Sequence, residues 1–170
     1  MWTCQQRAPT VIPMSKTRWL DDRQQHLWRS YIRMNQDLYA LLGSLHQSES
    51  GISLSDYGVL VALSEAPDGV VRARDIGVDL GWDRSRTSHH VARMEQRGMV
   101  KREQCDEDAR GLMVRITPKG RRAIEAAAPA HAEAVQRLFF DVLSDKEIDT
   151  LTAVFDRVLA TLHQGLSAAR

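Results

Sequence analysis

Cysteine, long apolar runs and net charge are the features that this sequence has least of. Its 170 residues include two cysteines, Cys4 and Cys105, which are too few for a disulfide framework and lack the spacing of a metal motif. No apolar run approaches the length of a membrane span, and the N-terminus lacks the apolar centre of a signal peptide. We therefore expect a cytoplasmic protein without a membrane partner, with residues 1–17 as a disordered tail and Met14 as an alternative start.

Residue combinations that mark enzymes are also missing. The sequence has no nucleophile elbow, no phosphate-binding loop, no run of metal ligands and no convincing pair of catalytic carboxylates. Six histidines are present, but the adjacent His89 and His90 would point about 100° apart on a helix and cannot form the usual i, i+4 metal pair. A metal site assembled from distant helices stays open as an alternative. We expect no enzymatic activity, no cofactor and no metal.

The net charge of +1 conceals an uneven distribution of charge along the chain. Residues 72–122 contain 13 Lys and Arg against 8 Asp and Glu, a local balance of +5, whereas the remainder balances at −4. A basic middle between acidic flanks indicates an anionic partner for one region of the chain. The alternative is chance segregation of charge on a solvated surface.

Helical periodicity surrounds this basic region. Apolar residues between Leu20 and Leu45 recur at steps of three, four and seven, which predicts one long helix that must bury its apolar stripe against another surface. Ser53 and Asp56 have capping-box spacing at the start of a second helix. Residues 119–170 repeat the helical pattern, so the chain is predicted to begin and end in helices.

The basic region itself has the pattern of a helix-turn-helix followed at once by a β-hairpin. A short helix stops at Gly81, and Asp83 is a suitable N-cap for the next helix, Arg84–Arg97. Residues 99–105 and 112–117 then predict two strands joined by a polar turn. Together these elements form a winged helix, so the expected fold is mainly α with a small β-hairpin wing, an α+β arrangement.

The helix Arg84–Arg97 is polar through its opening turns. Thr87, Val91 and Met94 define its inward side, with His90 packed at the edge of that side. Arginine can bridge O6 and N7 of guanine, serine and histidine can donate to bases or phosphates, and the first turns of a recognition helix enter the major groove. The residues predicted to contact DNA are Arg84, Ser85, Arg86, Ser88, His89 and Arg93.

These motifs resemble the MarR family of winged helix-turn-helix transcription regulators. The resemblance covers residues 20–165 and is carried by "DRSRTSHHVARMEQRGMVKR" and by "DEDARGLMVRITPKG". In the second segment, Asp108, Ala109 and Arg110 match the Asp-x-Arg that the family has in its wing. The resemblance implies that Arg110 enters a narrow minor groove of DNA and that Asp108 supports the wing. The alternative for Arg110 is a solvated turn arginine.

The resemblance also implies a homodimer whose first and last helices interlock, with each lobe binding half of a palindromic double-stranded operator. Residues 18–48 would then be the N-terminal dimerisation helix, 49–118 the DNA-binding lobe, and 119–170 the helices that complete the dimerisation region. A small organic effector or a redox signal would be sensed between the dimer helices and the lobe, which implies a repressor relieved by its effector. Trp28, Tyr31, His46 and Tyr57 are the predicted effector pocket, with ordinary core packing as the alternative.

Two further hypotheses concern the wing and the class of protein. Cys105 follows Lys101 and Arg102, whose charges could activate its thiol, although an inert thiol is favoured because no second cysteine is close in sequence. A winged helix that binds protein or RNA without an operator is the alternative function. A protein-binding face would expose hydrophobic anchors, whereas the predicted recognition face exposes arginine, serine and histidine.

Overall fold

Helices dominate the computed structural model, which describes residues 17–104 and 111–168. The elements, in chain order, are α1 Asp22–Leu45, a π-helical segment His46–Ser50, α2 Leu54–Glu65, β1 Val70–Arg72, α3 Ala73–Asp79, α4 Arg84–Gln96, β2 Val100–Gln104, β3 Leu112–Ile116, α5 Pro118–Val135, a second π-helical segment Gln136–Phe140, and α6 Asp145–Ala168. The predicted fold class, mainly α with a small antiparallel sheet, is confirmed. Cys4, Met14, Cys105, Asp108 and Arg110 lie outside the described residues.

Contacts divide the chain into two compact units, residues 1–37 and 38–170. The first unit contains the start of α1, where Asp21 and Gln24 cap the helix reciprocally through bonds of 2.8 and 3.1 Å between backbone N–H groups and side-chain oxygens. Leu27, Trp28 and Tyr31 in this unit are exposed, and Leu27 retains 71% of its surface. No helix among the described residues is both long and apolar enough to cross a membrane.

The second unit contains a three-stranded antiparallel sheet in the order β1-β3-β2. The wing hairpin pairs Val100 with Ile116 and Gln104 with Leu112, as the sequence predicts. Strand β1, in which Val71 pairs with Val114, was not predicted from the sequence. Three residues are too few to display an alternating pattern, and β1 is stabilised by hydrogen bonds to a strand more than 40 residues away.

The hydrophobic core lies in the second unit, between the sheet and helices α2 to α5. Its buried members are Ile52, Val59, Leu60, Leu63, Ile76, Val91, Met94, Met99, Val100, Val114, Ile116, Ile124 and Ala127. Gly120 allows the first turn of α5 to pack closely against the backbone at Met99. A Cβ at this position would collide with the carbonyl oxygen of Met99. None of residues 145–165 of α6 is buried, so this helix contributes nothing to the core.

Candidate nucleic-acid interface

Helix α4 has one buried side and one polar, exposed side. Thr87, Val91 and Met94 are buried as predicted, and so is His90. All six side chains predicted to contact DNA are exposed on this helix: Arg84, Ser85, Arg86, Ser88, His89 and Arg93. Every residue of α4 that was predicted to bind DNA is therefore accessible to solvent. Contact between these residues and DNA stays a prediction.

A tight turn between α3 and α4 fixes the direction of α4. Gly77 packs so closely that an added Cβ would lie 2.7 Å from Thr87 Oγ1 and 3.3 Å from the carbonyl oxygen of Trp82. The Trp82 N–H donates to the Gly77 carbonyl at 2.7 Å, and Gly81 takes a left-handed conformation with φ of 64°. Asp83 then caps α4 by accepting from the Arg86 N–H at 2.8 Å, which confirms the predicted N-cap.

Two arginines on the exposed side of α4 contact neighbouring aromatic rings. The Arg86 guanidinium carbon lies 4.6 Å from the centroid of the Trp82 ring, a cation–π contact. Arg93 Nη2 donates to His90 Nδ1 at 3.3 Å. The Trp82 and His90 rings meet edge to face, with centroids 5.0 Å apart. The four side chains therefore form a continuous row of contacts, which runs from Arg86 through Trp82 and His90 to Arg93.

A buried carboxylate lies beneath this row. Asp56, 1% exposed, accepts from Arg97 Nη1 and Nη2 at 2.9 and 2.6 Å and from the Ser53 N–H at 3.0 Å. His90 Nε2 lies 2.9 Å from Asp56 Oδ1, a close polar contact between the two side chains. Burial alone would raise the pKa of Asp56, yet the contacts with His90, Arg97 and Ser53 outweigh burial and hold the pKa well below its usual range.

The role of Asp56 as a centre of contacts was not predicted from the sequence. The capping box with Ser53 was predicted and is confirmed, because its bonds are local. Arg97 lies 41 residues further along the chain, and no local pattern connects it to Asp56. Only the tertiary fold brings these two ionisable residues together.

Helix α4 is also joined to the hairpin of β2 and β3. Glu95 of α4 accepts from the Arg102 N–H at 2.8 Å and from Arg102 Nε at 2.6 Å. The backbone and side-chain bonds from Arg102 hold the pKa of Glu95 below its usual value. Across the hairpin, Arg115 pairs with Glu103 at 3.1 Å. Acidic side chains therefore neutralise part of the basic charge of this hairpin.

A second cluster in this unit joins three rings. His46 Nε2 and His131 Nδ1 are 3.0 Å apart, and the Tyr57 ring centroid lies 4.4 Å from both histidine rings. Burial lowers the pKa of His131, and burial together with the neighbouring His131 lowers that of His46. A cavity of about 100 Å³ adjoins the cluster, and its lining includes both histidines, Glu49 and Ser50.

The residues predicted for the effector pocket therefore belong to both units. His46 and Tyr57 contact each other in the second unit. Trp28 and Tyr31 belong to the first unit, where their rings stack with centroids 5.8 Å apart. His131 was not predicted to join them, although its position on the apolar stripe of α5 was the available signal. Within residues 17–104 and 111–168, no three His, Cys, Asp or Glu side chains are arranged to hold a metal ion.

Known proteins with similar sequences and structures are transcription regulators. Residues 50–111 match the family model described as MarR family. The structure of AbsC, a MarR family transcriptional regulator from Streptomyces coelicolor, is 33% identical with a TM-score of 0.82, covering 87% of this chain and 99% of AbsC. Sco3205, a MarR family regulator of the same organism solved in complex with DNA, is 35% identical with a TM-score of 0.80, covering 85% of this chain and 90% of Sco3205.

More distant relatives extend the same comparison. The PcaV transcriptional regulator from Streptomyces coelicolor, solved with its natural ligand, is 25% identical with a TM-score of 0.69, covering 84% of this chain and 97% of PcaV. The transcriptional repressor MprA from Escherichia coli K12 is 25% identical over 114 residues, which are 67% of this chain and 64% of MprA. The chain thus aligns with slightly less than two thirds of the length of this curated relative.

Proposed function

Because the chain belongs to the MarR family of DNA-binding transcription regulators, we propose that it binds a palindromic operator as a homodimer, through α4 and the wing of each subunit. The exposed side of α4 is the observation that carries the proposal. It presents Arg84, Arg86 and Arg93 with serine and histidine between them, and no large apolar side chain of α4 is exposed. Such a surface suits phosphates and base edges.

The start of α4 adds to the attraction for an anion. Its first turn contains no acidic residue beyond the Asp83 cap, so the free N–H groups and the helix dipole favour negative charge at this end. The structure of Sco3205 in complex with DNA, at 35% identity, supports DNA as the partner of this chain. For Arg110, whose proposed contact is the minor groove, the support is the sequence match alone.

The dimer is proposed from apolar surface that one subunit leaves uncovered. On α6, Phe155 is 40% exposed and Leu162 is 56% exposed, and Leu151 lies on the same stripe. In the first unit, Leu27 and Tyr31 are exposed as well. A helix with an apolar stripe needs a partner to bury it, and a second copy of the chain supplies an identical stripe.

Sedimentation of stripe variants tests the dimer. Phe155→Glu places a charge on the apolar stripe and is expected to shift the protein toward monomer at micromolar concentration. Arg157→Glu is the matched control, because residue 157 points about 200° away from residue 155 on the same helix. Equal dimer populations for both variants would contradict the assignment of this stripe to the interface.

We propose in addition that the protein is a repressor whose DNA binding is weakened by a small organic effector. The cluster of His46, Tyr57 and His131 adjoins a cavity whose lining combines the histidine nitrogens, Glu49 and Ser50 with leucine and alanine side chains. The ligand-bound structure of PcaV supports an effector, and the name of MprA supports repression. An effector needs to favour the non-binding geometry by only about 1–3 kcal/mol.

Fluorescence anisotropy with DNA from directly upstream of its own gene tests operator binding. Arg93→Ala and Arg110→Ala should each cost about 1–3 kcal/mol of DNA affinity, and each should lower the salt dependence by roughly two slope units per dimer if the arginine meets a phosphate. Arg137→Ala, an exposed arginine outside the lobe, should cost little beyond its charge. Equal affinities for all three variants would refute this mode of binding.

The same experiment separates the alternative of a protein- or RNA-binding module. Excess unlabelled duplex of the same sequence should displace the labelled DNA, whereas single-stranded RNA of matched length should not. No binding to the upstream duplex at low salt, with tight binding to RNA, would favour the alternative. The polar exposed side of α4, which lacks an aromatic or aliphatic anchor, supports the DNA assignment.

A further inference from the structure

Resting on the proposed function, we propose that Trp82 and His90 are positioning residues for DNA recognition, which hold Arg86 and Arg93 in place before DNA arrives. Neither was predicted to contact DNA, and His90 is buried. Their rings meet edge to face at 5.0 Å, and each ring holds one arginine of the exposed side of α4. The specificity of the helix would therefore depend on two residues beside the contact surface.

Trp82 suits this role because its own position is fixed. Its N–H donates to Gly77, and its ring packs against the hydrophobic core. The contact places the Arg86 guanidinium over the face of the Trp82 ring. A cation–π contact leaves the N–H donors at the edge of that group free, whereas an ion pair with a carboxylate would occupy two of them. Arg86 can be held by Trp82 and still donate to a guanine or a phosphate.

His90 restrains Arg93 through a hydrogen bond that requires one particular tautomer of the imidazole ring. Arg93 can only donate, so His90 Nδ1 must accept, and the ring proton must lie on Nε2. Nε2 faces Asp56, whose negative charge favours that arrangement and is itself anchored by two bonds from Arg97. Arg93 uses one of its five N–H donors on His90, and the others point away from this bond.

The spacing of Arg86 and Arg93 allows both side chains to reach the same groove of DNA. Residues 86 and 93 are seven apart, which is two helical turns, so they lie on nearly the same side of α4 and about 10.5 Å apart along its axis. A free arginine must lose rotamer freedom when it binds, and restraint in advance removes part of that cost. The expected benefit is about a three- to tenfold gain in affinity for each restrained arginine in each lobe.

A double-mutant cycle tests the Trp82 arm, with anisotropy on the upstream duplex as the readout. Trp82→Leu should weaken binding by about three- to tenfold per lobe when Arg86 is present and should have no effect in the Arg86→Ala background. Trp82→Phe keeps an aromatic face and should recover part of the loss. Because Arg86 still reaches DNA in the complex, Trp82→Leu should leave the salt slope unchanged, whereas Arg86→Ala should lower it if Arg86 meets a phosphate.

The outcomes separate this proposal from the proposed function. Wild-type affinity for Trp82→Leu, or an equal loss in both backgrounds, would overturn the positioning role while leaving DNA binding by Arg86 intact. Wild-type affinity for Arg86→Ala would instead refute the proposed contact itself. Thermal melting of each variant identifies losses caused by unfolding. If Trp82→Leu does not fold, Trp82→Phe in both backgrounds decides the same question.

A second cycle tests His90 and Arg93. His90→Phe preserves an aromatic ring against Trp82 but removes the Nδ1 acceptor, so DNA affinity should fall by about three- to tenfold per lobe with Arg93 present and should not change with Arg93→Ala. His90→Asn, which restores an acceptor oxygen, should regain part of the loss. An unchanged affinity for His90→Phe in the presence of Arg93 would overturn this arm.

Discussion

Replacing Asp56 with Asn removes one negative charge from a buried position while keeping the shape of the side chain. Asp56 accepts two bonds from Arg97 and one from the backbone of Ser53, and its side chain is almost fully buried. A charge-assisted bond contributes about 1.5–3 kcal/mol, and a lost helix cap costs about 1 kcal/mol. Asn retains one acceptor oxygen, and Arg97, with 42% of its side chain exposed, can turn to water. We therefore expect Asp56→Asn to cost about 3 kcal/mol of the free energy of unfolding.

Urea unfolding followed by circular dichroism measures this cost. Protomer concentration must be equal for all variants, because a dimer gains stability with concentration. Asp37→Asn is a matched control: Asp37 also pairs with an arginine, Arg33 at 3.4 Å, but that pair is exposed and should contribute less than about 0.5 kcal/mol. Equal losses for Asp56→Asn and Asp37→Asn would refute the conclusion that the buried carboxylate organises the lobe.

The pH dependence of stability gives an independent check on Asp56. Its pKa is lowered in the folded protein, so its contribution is present above the unfolded pKa of about 3.9 and is lost as the pH falls below that value. The wild-type protein should therefore lose stability more steeply than Asp56→Asn as the pH falls from about 5 to 3. Parallel pH profiles for the two proteins would contradict the lowered pKa.

Three other substitutions probe the lobe. Gly77→Ala should cost about 1–3 kcal/mol in urea unfolding, because its Cβ would collide with Thr87. Met94→Ala should cost about 2–5 kcal/mol and should weaken DNA binding only through unfolding, which anisotropy at low temperature would verify. His131→Phe should flatten the loss of thermal stability below about pH 6.5, since lowered pKa values of His46 and His131 mean that protons favour the unfolded chain.

Local patterns predicted much of the fold and of the exposed side of α4. The cap at Asp83, the inward spacing of Val91 and Met94 and the alternation of the hairpin all lie within a few residues of one another. Such patterns reflect backbone geometry, which nearby residues determine. The burial of His90 was predicted on the same basis, from its place at the edge of the inward side.

Long-range contacts could not be predicted in this way. The pairing of Asp56 with Arg97 and the meeting of His46 with His131, 85 residues apart, depend on how helices pack. Strand β1 was missed for a similar reason, since its three residues gain their structure from β3. Arg86 and Trp82 are only four residues apart, but their contact was not predicted either. A tryptophan before an N-cap does not by itself indicate which side chain its ring will contact.

The bridge from Glu95 to Arg102 has a mechanical consequence. It ties the last turn of α4 to strand β2 by both backbone and side chain, so this part of the wing cannot tilt relative to the helix without breaking two short bonds. The two bonds therefore couple the orientation of the helix to that of the strand. In the proposed dimer, a regulatory signal then has little freedom inside a lobe, and the adjustable quantity is the distance between the two lobes. Operators whose half-sites differ in spacing by one base pair, about 3.4 Å, should be discriminated more sharply than operators that differ within a half-site contacted only at phosphates.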